Sequence, residues 1–152
     1  MSYKFSTLLV ICFLMAACDS NNAPKNSIDS KTANNTDSLT CYRYVGNKDT
    51  ISLKTVNVNG FITGTLIYKL YEKDKNAGTI QGKMKGDLLI ADYSFMSEGM
   101  NSTRQVVFKK SGNDLVEGYG VIEEKGNKVV FKNLDSLDFN NSIVLKMTDC
   151  EK

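Results

Sequence analysis

Histidine is absent from this sequence of 152 residues, and arginine occurs only as Arg43 and Arg104. Without the side chain that most often serves as general base and metal ligand, no nucleophile has an obvious base beside it. A chain whose other basic residues are all lysine is poorly suited to bidentate reading of phosphates or bases. We therefore expect a protein that is not an enzyme, takes no cofactor and binds no nucleic acid.

Charge of one sign is not concentrated anywhere along the chain. The 19 basic and 17 acidic residues leave a formal net charge of +2, and the two signs alternate instead of forming blocks. A mixed surface of this kind leaves no electrostatic footprint for nucleic acid. The 41% hydrophobic content and the single proline fit one packed domain.

Long hydrophobic runs are also lacking. The apolar run at residues 8–15 is too short to span a bilayer, which takes about 20 residues. It follows Lys4 and precedes two alanines, an arrangement typical of a cleaved export signal. We interpret residues 1–17 as that signal.

The end of this signal carries a motif of its own. Met15-Ala16-Ala17-Cys18 resembles the lipobox of bacterial lipoproteins. The resemblance implies that the signal is cut before Cys18, that Cys18 carries fatty-acyl chains, and that these chains tether the protein to a membrane of the bacterial cell envelope. Asp19, which follows this cysteine, does not determine whether the protein lies at the inner membrane, the outer membrane or the cell surface. The alternative is a plain secretory signal with an accidental cysteine.

Residues 18–40 comprise the lipidated cysteine and a segment rich in Asn, Ser, Thr, Asp and Lys without helical or strand periodicity. Such composition predicts a disordered linker. Its root-mean-square reach is roughly 25 Å, and its full extension is about 75 Å. The folded domain is therefore expected over residues 41–152.

Only two cysteines remain for the folded domain. Cys12 leaves with the signal and Cys18 is committed to lipid, so Cys41 and Cys150 are left. An exported chain enters an oxidising compartment, which predicts a disulfide between them. The alternative is two free functional thiols.

Between these cysteines the dominant hydrophobic period is two. Residues 79–123 read as four strands joined by three tight connections, and Asn59-Gly60 is a strong hairpin signal between residues 50–58 and 61–71. A slip in the alternation predicts a bulge near residues 54–56. Another strand is predicted at residues 115–122.

This pattern predicts an all-β fold: a single antiparallel meander of about eight or nine strands forming a closed or nearly closed barrel, with at most one or two short helical turns. A β-sandwich is the alternative. In pattern the meander resembles the calycin-like small barrels that hold apolar ligands. The stretch also resembles small bacterial lipoproteins with a C-terminal all-β domain. These resemblances imply a fold and no site residues.

Arg104 shares a strand face with Val106 and Phe108. If that face points inward, a lone guanidinium needs a carboxylate, either Glu117 or the carboxylate of a ligand. This predicts an acidic amphiphile, such as a fatty acid, as ligand. The alternative is an arginine at the barrel mouth that reaches water or pairs with Glu98.

The remaining candidates are aromatic or oxygen-rich. Tyr68, Tyr93 and Tyr119 alternate with apolar residues and are predicted to pack in the core or to line a ligand site. Glu72, Asp74 and Asn76 have a spacing that can direct oxygens at a hard cation. An ordinary charged hairpin loop is the alternative for that triplet.

Together these observations predict a monomeric, membrane-tethered envelope lipoprotein that binds a small amphiphile or an envelope partner. A structural or assembly lipoprotein that acts through its surface is the alternative. A hydrolase using paired carboxylates is the third hypothesis.

Overall fold

Ten strands make up most of the chain that the computed structural model describes, which comprises residues 38–97, 99–140 and 143–150. In chain order the strands are β1 (Leu39–Val45), β2 (Thr50–Val58), β3 (Phe61–Lys69), β4 (Asn76–Lys85), β5 (Leu88–Ser97), β6 (Met100–Ser111), β7 (Asp114–Glu117), β8 (Ile122–Lys125), β9 (Lys128–Phe131) and β10 (Val144–Thr148). A single 3₁₀ turn, Leu134–Ser136, is the helical structure of the described residues. No helix in this part of the chain has the length and apolarity to cross a membrane.

Eight strands close into an antiparallel barrel. β1 to β7 pair in chain order, and β10 enters between β7 and β1 to complete the ring. The all-β barrel is confirmed. It departs from the predicted single meander because the hairpin β8–β9 leaves the ring and joins β6 through one parallel bridge, Arg104 to Val129.

The two ends of the barrel differ. At one end, β2–β3, β4–β5 and β6–β7 are joined by the two-residue turns Asn59-Gly60, Gly86-Asp87 and Gly112-Asn113. Asn59 and each of the three glycines adopt positive φ, as tight hairpins of this kind require. We call this the tight-turn end. The other end, where β1, β3, β5 and β7 finish, is the open end.

A disulfide joins Cys41 in β1 to Cys150 just after β10, with a Cα–Cα distance of 5.2 Å. Because β1 and β10 are neighbours in the ring, this bond holds the first and last strands together at the tight-turn end. The predicted pairing is confirmed.

The predicted bulge near residues 54–56 is wrong. β2 pairs without interruption with β1 from Thr50 to Val56 and with β3 from Thr50 to Val58. Thr55 stays on the interior face and is 8% exposed, because its hydroxyl donates a hydrogen bond to the carbonyl oxygen of Thr40 at 3.3 Å. Gly64 lies opposite, where a Cβ would overlap the carbonyl oxygen of Lys54.

The predicted strand at residues 115–122 is also wrong. β7 ends at Glu117, and β8 begins only at Ile122. Between them the chain turns out of the ring: the amide of Gly118 donates to the carbonyl oxygen of Val107 at 2.8 Å, and Tyr119 forms an isolated bridge with Asp138.

The interior of the barrel is packed with apolar side chains. Those that are 2% exposed or less include Ile51, Leu53, Leu66, Ile80, Leu89, Phe108 and Leu145. Each contributes about 1.5–3 kcal/mol relative to an exposed position. Toward the open end this packing gives way to polar side chains.

Candidate functional site

A cavity of about 440 Å³ opens at the open end. Its apolar wall includes Leu70, Val106, Ile122, Val129, Phe131 and Ile143. Its polar wall includes Tyr68, Lys73, Asn76, Arg104, Gln105, Glu117 and Tyr119. The volume falls in the range of roughly 300–1,000 Å³ that is usual for small-molecule sites.

Glu117 is the centre of the polar wall. It is 5% exposed, and its carboxylate accepts hydrogen bonds from the hydroxyls of Tyr68 at 2.6 Å and Tyr119 at 3.0 Å. Its amide donates to the carbonyl oxygen of Ile143 at 2.9 Å, which fixes the end of β7. Glu117 is therefore held in place, and each of its carboxylate oxygens already accepts a tyrosine hydroxyl.

Arg104 points into the barrel, as its shared face with Val106 and Phe108 predicts. Its guanidinium carbon lies 4.9 Å from the ring centroid of Tyr68 and 5.5 Å from those of Tyr93 and Phe95. Ring faces attract cations, although more weakly than a bidentate carboxylate does. The guanidinium is therefore stabilised by π faces.

Two buried polar atoms beside this cluster have no hydrogen-bond partner among the described residues: Nε of Arg104 and the hydroxyl of Tyr93. Tyr93 is 0% exposed and pairs with Arg104 across β5 and β6. No ion pair among the described side chains involves Arg104. Buried polar groups in folded proteins are normally satisfied, so an ordered water or a ligand is expected beside these two atoms.

Burial sets the protonation of this cluster. It raises the pKa of Glu117 above its usual 4.5, against the lowering effect of the two tyrosine hydrogen bonds and of Arg104. Burial raises the pKa of Tyr93 to about 12, and burial together with the charge of Glu117 raises the pKa of Tyr68 and Tyr119. The tyrosines therefore remain hydroxyl donors at neutral pH.

The hairpin β8–β9 forms one side of the cavity and is fastened to the barrel by polar contacts. Lys128 Nζ lies 2.7 Å from Asp92 Oδ2, and the amide of Phe131 donates to Gln105 Oε1 at 3.2 Å. Asp92 and Gln105 are cross-strand neighbours on β5 and β6. The hairpin is thus held against two strands of the ring.

The structure brings five of the predicted site residues into one group: Arg104 and Glu117 with Tyr68, Tyr93 and Tyr119. Tyr68 and Tyr93 also belong to the hydrophobic core, as the packing hypothesis states. The other named partner for Arg104, Glu98, lies outside the described residues, as does the lipidation residue Cys18.

The predicted cation triplet is divided between two environments. Glu72 and Asp74 lie exposed in the connection between β3 and β4, whereas Asn76 begins β4 and lines the cavity. Within the described ranges, no three His, Cys, Asp or Glu side chains are grouped to hold a metal ion. The cation site stays a prediction.

Paired carboxylates are not found in the described lining of the cavity, where Glu117 is the one acidic side chain. The geometry offers one buried carboxylate held by two hydroxyls and one guanidinium over aromatic rings. Such a group can recognise an anion but does not supply the acid and base pair of a glycosidase.

Sequence reasoning did not identify the wall formed by the hairpin, namely Ile122, Val129 and Phe131. The segment Gly118-Tyr119-Gly120 could have indicated that the chain leaves the barrel here, because glycines inside a strand pattern mark bends and close approaches. A Cβ at Gly118 would lie 2.7 Å from the ring of Phe139, so a larger residue there would require this ring to shift.

Comparisons with protein-family models, with curated proteins and with solved structures return no match to this chain. Function is therefore inferred from the geometry of the cavity.

Proposed function

We propose that this domain binds a small amphiphile with an anionic head group, such as a fatty acid, in the cavity at the open end. The observation that carries the proposal is the inward guanidinium of Arg104, which borders the cavity and has no ion pair with a described carboxylate. The domain acts as a non-enzymatic binding module of a bacterial envelope lipoprotein.

The head group is recognised by Arg104. A carboxylate matches a guanidinium in shape and charge, and the resulting bidentate pair is stronger than the cation–π contacts already present. The two carboxylate oxygens of Glu117 already accept hydrogen bonds from the hydroxyls of Tyr68 and Tyr119. The cluster therefore leaves its cation available for a ligand.

The apolar part of the ligand lies against the apolar wall. Leu70, Val106, Phe131 and Ile143 give this wall aliphatic and aromatic surface next to the polar cluster. Each methylene that leaves water there contributes about 0.8 kcal/mol. About ten buried methylenes would together contribute about 8 kcal/mol, the free energy that corresponds to micromolar binding.

Attachment to the envelope belongs to the same proposal. The motif that ends at Cys18 supports lipidation, and two or more acyl chains give a stable membrane anchor. The disulfide between Cys41 and Cys150 is consistent with an exported protein, because such bonds persist in oxidising compartments.

Titration with a fluorescent fatty acid that retains a free carboxylate tests the proposal. Replacing Arg104→Met removes the charge while keeping much of the side-chain volume. Loss of one partner of a buried charge pair costs about 2–5 kcal/mol, so binding should weaken at least tenfold. The matched control is Arg43→Met, because Arg43 is exposed on β1.

The methyl ester of the same probe provides the chemical control. It should bind the wild type weakly, and Arg104→Met should not change that affinity. Equal binding of the acid to wild type and to a folded Arg104→Met variant would overturn the proposal.

A further inference from the structure

Of the eleven large exposed hydrophobic side chains of the described residues, seven lie at the open end, and four lie toward the tight-turn end, namely Leu39, Val58, Phe61 and Met147. The seven lie at the ends of strands or on the connections that join them there: Val45, Tyr71, Met96, Met100, Tyr119, Val121 and Ile122. Each is between 44% and 71% exposed. Isolated apolar residues on a surface are ordinary, but a group at one end, around a cavity, indicates an interaction site.

Several of these residues adjoin the cavity itself. Ile122 lines it, and Tyr71 follows the lining residue Leu70 and lies two positions before Lys73, which also lines it. At Ile122 and Tyr71 the exposed apolar surface therefore adjoins the apolar wall, next to the exposed charged residues 72–75.

We propose that the open end docks on a lipid bilayer, so that the cavity receives its ligand directly from the membrane. This inference rests on the proposed function, since it names the source of the amphiphile. Loop tips that carry tyrosine and aliphatic residues insert into the headgroup region, and each contributes by burying apolar surface.

The composition of the open end favours a bilayer over a protein partner. Lys48 lies over the ring of Tyr71, with its Nζ 3.6 Å from the ring centroid. Tyrosine and lysine together are typical of membrane interfaces, where the ring is buried and the ammonium reaches water. Asp49, Glu72 and Asp74 lie on the same connections of the open end as the lysines, so the net charge of these connections is small. Docking should therefore depend on apolar insertion and vary little with salt or anionic lipid.

The tether is long enough for this orientation. The domain begins with β1 at the tight-turn end, opposite the cavity. Residues 19–38 can extend about 70 Å, whereas strands of ten residues span only about 33 Å. A domain anchored at Cys18 can therefore turn its open end toward the same bilayer.

Tryptophan fluorescence tests the docking, because the natural chain contains no tryptophan. Full-length Tyr71→Trp protein is mixed with uncharged phosphatidylcholine vesicles, with or without brominated acyl chains. The matched control is Phe61→Trp at the tight-turn end, an aromatic position that is 68% exposed against 50% for Tyr71. Bromine quenching should reduce the emission of Tyr71→Trp at least twofold and leave Phe61→Trp unchanged.

A second substitution tests the mechanism. Adding Met100→Asp to the Tyr71→Trp protein places a charge at a position that is 71% exposed and should abolish most of the quenching. Equal quenching at both tryptophan positions, or none at Tyr71→Trp, would overturn the docking proposal. Fatty-acid binding by the same variants in vesicle-free solution reports separately on the cavity, so failure of docking is distinguishable from failure of ligand binding.

Discussion

The two ends of the barrel differ in the connections between their strands and in the polar groups that they bury. At the tight-turn end, two-residue turns with glycine at positive φ join the strands, and a disulfide fastens β1 to β10. At the open end the β1–β2 and β3–β4 connections are longer, a carboxylate and a guanidinium lie inside, and two buried polar atoms have no partner in the described part of the chain. At the tight-turn end, the local preferences of the turn residues agree with the fold. At the open end, polar side chains lie inside the barrel, where the fold otherwise buries apolar ones. Conflicts of this kind are expected at functional sites.

The largest expected effect comes from breaking the tight-turn end. Replacing both Cys41→Ser and Cys150→Ser opens a loop whose ends are 109 residues apart. The chain-entropy model gives a loss of about 4–5 kcal/mol in the free energy of unfolding. Urea denaturation measures it, and the wild type under reducing conditions should unfold at the same midpoint as the double variant. An unchanged midpoint would contradict the role assigned to the disulfide.

Truncating one apolar side chain in the core and one at the cavity should separate the effect on stability from the effect on ligand binding. Leu66→Ala removes a fully buried side chain and should lower the free energy of unfolding by about 2–5 kcal/mol. Ile122→Ala removes a side chain that is 57% exposed but lines the cavity, so stability should change by about 0.5 kcal/mol or less. In a fatty-acid titration, Ile122→Ala should show a clear loss of affinity although its stability is intact.

The pH dependence of stability tests the buried carboxylate. Because its folded-state pKa is raised above 4.5, Glu117 keeps its proton in the folded state at pH values where the unfolded chain has lost it. The folded state then binds more protons, so this group's contribution is complete below pH 4.5 and is lost as pH rises through the folded pKa. A tenfold difference in proton affinity between the folded and unfolded states corresponds to about 1.4 kcal/mol of stability.

Glu117→Gln should remove this contribution. Compared with the variant, the wild type should lose stability as pH rises above 4.5, measured by denaturation at a series of pH values. A difference between the two proteins that is constant with pH would show that Glu117 titrates normally.

The smallest effect is expected at the hairpin. Lys128→Met breaks a partly exposed ion pair and should cost less than about 1 kcal/mol in global stability. Amide hydrogen exchange in β8 and β9 should nevertheless accelerate, because this contact fastens the hairpin to β5. The control is Lys146→Met, which breaks the pair with Asp114 at the start of β7. Acceleration in both variants would argue against a local role for Lys128.

The sequence predicts the tight-turn end well. Asn59-Gly60 and Gly86-Asp87 fall between runs of alternating hydrophobicity, and turn geometry together with that alternation determines the strand register. The disulfide follows because only two cysteines remain once Cys12 is assigned to the predicted signal and Cys18 to the predicted lipid site. Arg104 is likewise placed on the interior face by its period-two relation to Val106 and Phe108.

The open end is less predictable because its contacts are distant in sequence. Tyr68 and Glu117 form a hydrogen bond across 49 positions, and Lys128 reaches Asp92 across 36. Alternation alone extends β7 through Gly118 to Ile122, whereas tertiary contacts turn the chain outward at Gly118. Thr55 shows the same limitation, since a backbone acceptor on a neighbouring strand allows a polar residue to remain inside.

The most direct test of the central claim is carbon-13 NMR of dodecanoic acid labelled at its carboxyl carbon and bound to the full-length protein. If Arg104 holds the head group, the bound carboxyl pKa should lie below that of the free acid, because a nearby cation favours the ionised form. That pKa should rise in Arg104→Met. The same titration midpoint in both proteins, or the absence of a bound resonance in the wild type, would contradict the account.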